Sequence, residues 1–225
     1  MPDTTWIAGG KAEAAAPGAV EIALAWIKKN RETFIGSLVI LAAAAIFAVY
    51  FFMHYRGLRD TAWKDLFVAQ QIGFQGNVAA AEQQLDGIAA SFGSTSAAPY
   101  ALLTKGDMLF AQNKFKEAAA EYGKVLKNKD LGPFALYDVG KCREADGDLA
   151  GAMAQYSDFL AKNPEHYLAP EVHSSLARVQ ELSGAKDLAR TTLEKIVLLY
   201  PDTSWAVQAK AKLTPQQPAP AQPKK

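Results

Sequence analysis

The sequence predicts an all-α chain: one N-terminal transmembrane helix, then a solenoid of about four stacked helix pairs closed by a capping helix. Three observations carry this. A charge-free apolar run occupies residues 34–53, landmark residues recur at one 34-residue period between Gly106 and Phe159, and the single cysteine, Cys142, leaves packing alone to hold the fold.

Composition sets the outer bounds. A chain of 225 residues holds one domain or two small ones. Half of the residues are hydrophobic, but unevenly so, and a net charge of +1 provides no global basic field of the kind nucleic-acid binding needs.

The apolar run Phe34 to Met53 reads FIGSLVILAAAAIFAVYFFM, without charge or proline. At about 1.5 Å per residue it matches the ~30 Å hydrocarbon core of a bilayer, and a helix satisfies its own backbone there. The transmembrane helix is assigned to residues 34–55, with Tyr50 and Tyr55 on one side and Trp26 on the other at headgroup level. The alanines at 42–45 offer small-residue cleavage sites, as in a secretory signal. Against this, the apolar core continues through Phe47, Phe51 and Phe52, and more than 30 residues precede it, which fits an anchor. Within about 15 residues of the ends, Lys28, Lys29 and Arg31 balance Arg56, Arg59 and Lys64. The tighter N-terminal cluster leans toward a cytoplasmic N-terminus and an exported C-terminal domain. In the juxtamembrane segment 19–33, Val20 to Ile27 followed by KKNR reads either as an interfacial helix or as an early start of the same helix. Residues 1–18 have the small, polar composition of a disordered N-terminus.

Residues 58–213 carry the periodicity. Gly106 and Gly140, Ala118 and Ala152, Tyr122 and Tyr156, and Val125 and Phe159 are each 34 residues apart. A small residue in helix A, a small residue in helix B and an aromatic four later is the order of the tetratricopeptide repeat. The small residues let neighbouring helices approach, and the aromatics fill the gap between repeats. Offsets of 37 residues extend the register to Ala81, Leu85 and Ile88 before, and to Ala189, Leu193 and Ile196 after. Pro164 and Pro201 occupy the position that ends helix B. The A-to-B turns align as Gln75-Gly76-Asn77, Gln112-Asn113-Lys114, Asp146-Gly147-Asp148 and Ser183-Gly184-Ala185. Ser204 to Leu213, with Ser204 as its cap, reads as the terminal helix that shields the last repeat. Residues 214–225 form a Pro-rich, disordered tail.

The segments WIKKNRETFIGSLVILAAAAIF and RDTAWKDLFVAQQ, followed by repeats, resemble a bacterial membrane-anchored tetratricopeptide-repeat family that includes the ancillary subunit of the Sec translocon. The resemblance spans residues 20–213. It implies an inner-membrane protein with a periplasmic repeat domain, whose partners are translocon subunits, exported chains or periplasmic chaperones. The Pro-rich tail departs from that subunit.

Stacked repeats line a concave face with their A helices. The register places Trp63, Leu66 and Gln70 there from the first repeat, and Tyr100, Leu103, Asp107 and Phe110 from the second. Phe134, Tyr137, Lys141 and Glu144 come from the third, and Arg178 and Glu181 from the fourth. Aromatic anchors in a groove suit an apolar peptide or partner helix. The competing reading is that helical-period aromatics such as Tyr100, Phe134 and Tyr137 are core. Catalytic chemistry is not expected. His54, His166 and His173 share no metal-ligand spacing, and there is no phosphate loop or nucleophile elbow. Cys142 reads as a buried thiol and His173 as a packing or surface residue. The expected function is a protein-binding scaffold with no cofactor, metal, nucleic acid or small-molecule substrate, its second partner being the lipid bilayer. An envelope-assembly or cell-division scaffold is the alternative, and a regulator facing the cytoplasm a third reading.

Overall fold

The computed structural model describes residues 18–214, so the segment 1–17 and the tail from 215 lie outside the described residues. The helices are α1 (Ala19–Lys29), α2 (Arg31–Phe74), α3 (Val78–Ser91), α4 (Ala97–Ala111), α5 (Phe115–Gly123), α6 (Gly132–Ala145), α7 (Leu149–Lys162), α8 (Ala169–Leu182), α9 (Lys186–Leu199) and α10 (Ser204–Leu213). Two compact units divide at Arg56 and Gly57.

In the first unit, α1 is a helix of its own. Asn30 leaves helical geometry (φ −113°, ψ 40°), its backbone N–H and side-chain amide both donate to the Trp26 carbonyl, and Phe34 N–H donates back to Asn30. Val20 to Ile27 is therefore not a continuous early start of α2. The part of α2 within this unit leaves Ile40, Leu41, Ile46, Phe47 and Phe52 exposed. Helix α2 is long and apolar enough to cross a membrane. Residues 55–58, between the expected transmembrane helix and the expected repeat domain, lie inside α2 rather than at a helix end. Gly57 alone, at a cost of about 1 kcal/mol, does not break a helix that has no proline or cap nearby.

The second unit is a stack of helix pairs. The A helices are the C-terminal part of α2, then α4, α6 and α8, and the B helices are α3, α5, α7 and α9. Every landmark of the periodic register is buried: Ala81, Ala118, Ala152 and Ala189, Leu85, Tyr122, Tyr156 and Leu193, Ile88, Val125, Phe159 and Ile196. Small residues recur because rings occupy the space a Cβ would need. A Cβ on Gly106 would lie 2.5 Å from the Tyr122 ring, and one on Gly140 would meet Tyr156 in the same way. The apolar clusters follow the chain. Leu66, Leu85 and Ala101 join α2, α3 and α4, and Leu109, Tyr122 and Val139 join α4, α5 and α6. Tyr137, Phe159 and Val172 join α6, α7 and α8, and Ala177, Ile196 and Ala209 seal α8 and α9 under α10. No pair is complete without its neighbour, so stability is shared along the stack.

The four A-to-B turns share one backbone solution. Their central residues Gly76, Asn113, Gly147 and Gly184 all have positive φ, between 63° and 88°. In each, the next N–H reaches five residues back, as Asp148 does to Arg143 and Lys114 to Leu109, which satisfies the last helix carbonyls. Asn113 holds this conformation in one repeat because Asn tolerates it best after Gly. Helix α10 does pack over the last repeat, but its cap is Thr203 rather than the expected Ser204. Thr203 is extended (φ −102°, ψ 157°), and its Oγ1 accepts from Ala206 N–H at 3.3 Å, whereas Ser204 is already helical.

Candidate protein-binding face

The predicted concave residues fall into three groups. Leu66 is buried among α2, α3 and α4, and Tyr137 is buried between α6, α7 and α8, so both are corrected from groove to core. Tyr137 packs its ring 5.7 Å from Tyr156, while its hydroxyl donates to Glu171 at 3.0 Å and lies 3.1 Å from Ser175 Oγ. A tyrosine whose polar end is satisfied inside the stack gains more from burial than from exposure. Burial raises its phenol pKa well above the ordinary value, as it does for Tyr122 and Tyr156.

The second group ties one repeat to the next. Gln70 Nε2 donates to Thr104 at 3.3 Å, Glu144 pairs with Arg178, and Lys212 of α10 reaches Glu181 at 2.8 Å. Asp107 accepts the Tyr122 hydroxyl at 2.6 Å, and Glu144 also accepts that of Tyr156 at 2.8 Å. Lys141 pairs with Asp138 at 3.0 Å and sits 5.7 Å from the centre of the Phe110 ring and 5.5 Å from that of Tyr137. Burial pushes the Asp138 carboxyl above its usual range against the pull of Lys141. Half-buried Leu103 and Phe110 pack on the second cluster, and Phe134 meets His166 at 5.4 Å and Tyr167 at 5.8 Å.

The third group remains open. Trp63 and Tyr100 are 39% and 41% exposed with ring centroids 5.1 Å apart, and Trp63 Nε1 donates to Ser96 Oγ at 3.3 Å. One helical turn beyond Gln70, α2 ends in Phe74, which is 90% exposed. Beside it lies a cleft of about 600 Å³ lined by Gln70, Gly73, Phe74, Val78, Thr104 and Met108 among others. Gln70 and Asp107, expected on the concave face, are among its lining residues, while Phe74, Val78 and Met108 were not among the expected positions. The signal was available: Trp63, Phe67, Gln70 and Phe74 follow the i, i+4, i+7, i+11 spacing of one helix stripe.

Cys142 is buried, and desolvation pushes its thiol up to about 12, which leaves it protonated and inert. His173 is half-buried 5.8 Å from the Tyr200 ring, and its Nδ1 has no hydrogen-bond partner among the described residues. Burial, helped by Lys195, lowers its pKa from 6.5 to about 4. Between these two values the unfolded chain binds the proton that the folded chain refuses, so stability falls as pH drops through that window and is unaffected above it. The expected loss is about 1–2 kcal/mol, reduced because part of the ring meets solvent. Urea unfolding midpoints across the window test this, and His173→Leu should flatten the profile.

One tetratricopeptide-repeat family model matches residues 73–135 and, in a second overlapping register, 103–167, and another matches 175–203. Together they cover more than half of the chain, which belongs to the tetratricopeptide-repeat family. Among solved structures, a tetratricopeptide repeat protein from Parabacteroides merdae ATCC 43184 aligns with TM-score 0.57 and 18% identity, over 68% of this chain and 59% of that one. A putative kinesin light chain from Podosopora anserina with nearly identical TPR-like repeats aligns with TM-score 0.56 and 15% identity, over 69% and 84%. At these identities the likeness is one of fold. This chain thus spans less than two thirds of the Parabacteroides structure. No curated protein shows significant similarity to it.

Proposed function

We propose that this chain is a membrane-anchored scaffold that holds an apolar segment of a partner protein on the A-helix face of its first two repeats. The observation that carries this is the open cleft beside Phe74, with Trp63 and Tyr100 exposed on the same two helices. Elsewhere along the face the predicted positions are consumed by Tyr137–Glu171, Glu144–Arg178 and Glu181–Lys212 contacts. Exposed aromatics beside an apolar cleft bind by burying area that water solvates poorly, and such anchors carry most of an interface's energy. The apolar run of α2 is the anchor. The basic cluster Lys28, Lys29 and Arg31 supports a cytoplasmic N-terminus, with the repeats in the periplasm beside the export translocon. The Pro-rich composition of residues 214–225 supports the second reading, an envelope-assembly or cell-division scaffold tethered by its tail.

The test is photo-crosslinking in intact cells from position 100, with the adducts identified by mass spectrometry. Adducts to channel subunits and newly exported chains, reduced at least tenfold by Trp63→Ala with Phe74→Ala, are the expected result, since hot-spot truncations cost about 2 kcal/mol or more each. Adducts confined to cell-wall or division proteins would favour the second reading. No adducts from a folded domain would remove the binding face.

A further inference from the structure

We propose that α1 is an interfacial helix lying in the anionic headgroup layer of the same bilayer that α2 crosses. The inference rests on the membrane reading of α2. Val20, Ala23, Leu24 and Ile27 follow the i, i+3, i+4, i+7 spacing of one helix face, and Trp26 and then Ile22 extend the apolar arc on one side of it. Glu21, Lys28 and Lys29 occupy the opposite face. None of these residues is buried, and Val20, Ile22, Leu24 and Trp26 are each more than half exposed. An 11-residue helix with this much uncovered apolar surface does not hold itself together in water, so something must cover its face.

Its position identifies the cover. Asn30 ends α1 one residue before the helix that carries the apolar run begins, so the bilayer surface is the nearest apolar phase. A lone tryptophan beside an aliphatic stripe suits the headgroup–acyl boundary, where its ring is apolar and its N–H is wet. Lys28, Lys29 and Arg31 gather three positive charges at the junction, against Glu21 in α1 and Glu32 beside Arg31, which leaves a net charge of +1. That complements anionic phospholipid headgroups. The helix is too short to cross a bilayer, which needs about 20 residues, so it lies along the surface instead.

The experiment uses the full chain with Trp6, Trp63 and Trp205 replaced by Phe, reconstituted in vesicles of phosphatidylethanolamine with phosphatidylglycerol. Trp26 fluorescence is then quenched by lipids brominated near the headgroup or deep in the acyl chain. Several-fold stronger quenching by the shallow bromines is expected. Replacing Lys28, Lys29 and Arg31 by Gln should raise quenching by aqueous acrylamide several-fold. Trp26 unquenched by either lipid in a chain that co-floats with the vesicles would overturn the inference while leaving the anchor intact. Strongest quenching by the deep bromines would make α1 part of the span and also overturn it, as would shielding of Trp26 that appears only on crosslinking to a second copy. A chain that fails to co-float would remove both readings.

Discussion

Tyr156→Ala is expected to destabilise the repeat domain by about 3–5 kcal/mol, the range for deleting a buried aromatic ring. Tyr156 is fully buried, and three kinds of contact converge on it. Its ring fills the space left by Gly140, it lies 5.7 Å from the ring of Tyr137, and its hydroxyl donates to Glu144 at 2.8 Å. Removing the ring opens a cavity between α6, α7 and α8 and leaves the Glu144 carboxylate, only 10% exposed, with Arg178 as its remaining partner. Tyr156→Phe keeps the packing and is expected to cost about 1.5–3 kcal/mol, the value of one bond to a charged acceptor. Gly140→Ala is expected to cost about 1–3 kcal/mol, because its methyl collides with a ring that cannot move away. The two sites are coupled. In Gly140→Ala with Tyr156→Ala the methyl enters the cavity, so the double variant should be more stable than the sum of the singles predicts. Urea unfolding followed by circular dichroism measures all four chains. A Tyr156→Ala cost below about 1 kcal/mol would mean that the aromatic is not what holds the third repeat together.

Most of the stack could be read in advance because its constraints are local and repeated. Gly106 with Tyr122 and Gly140 with Tyr156 are the same contact made twice, and a contact made twice leaves a period in the sequence. The turns were equally legible, since each needs a residue that tolerates positive φ and carries Gly or Asn at that position. The binding face was harder. The repeat register gives the direction in which a side chain leaves its helix, but not whether the next repeat covers it. Tyr137 lies one 34-residue period after half-buried Leu103, and Tyr100 one period before half-buried Phe134. Tyr137 is buried, with its hydroxyl donating to Glu171 and lying beside Ser175 Oγ of α8, while Tyr100 stays open beside Trp63. That difference depends on residues more than 30 positions away, which no local pattern encodes. Phe74 was missed for a different reason. It precedes a turn, where an apolar residue reads as the end of a helix rather than the rim of a cleft.

The membrane reading of α2 yields a still larger expected effect. Replacing Leu41 and Ala45 together by Arg should abolish stable membrane insertion. The run Phe34 to Met53 contains eleven Leu, Ile, Phe and Val residues, each favouring insertion by about 0.3–0.6 kcal/mol near the helix centre, or roughly 3–7 kcal/mol in all. Against this stand Gly36, Ser37 and two tyrosine or methionine positions of little benefit. An arginine near the centre costs about 2.5–3.5 kcal/mol, so two cost about 5–7 and reverse the sign of the balance. Snorkelling offers little relief, because positions 41 and 45 lie near the middle of the run and each guanidinium would have to drag water about half-way through the bilayer. Alkaline carbonate extraction of cell membranes provides the measurement. The unsubstituted chain should stay in the pellet, and the double variant should move to the supernatant or be degraded. A variant bearing the same two substitutions at Gln71 and Gln75, outside the run, should stay in the pellet. If both variants remained in the pellet, α2 would not be the anchor.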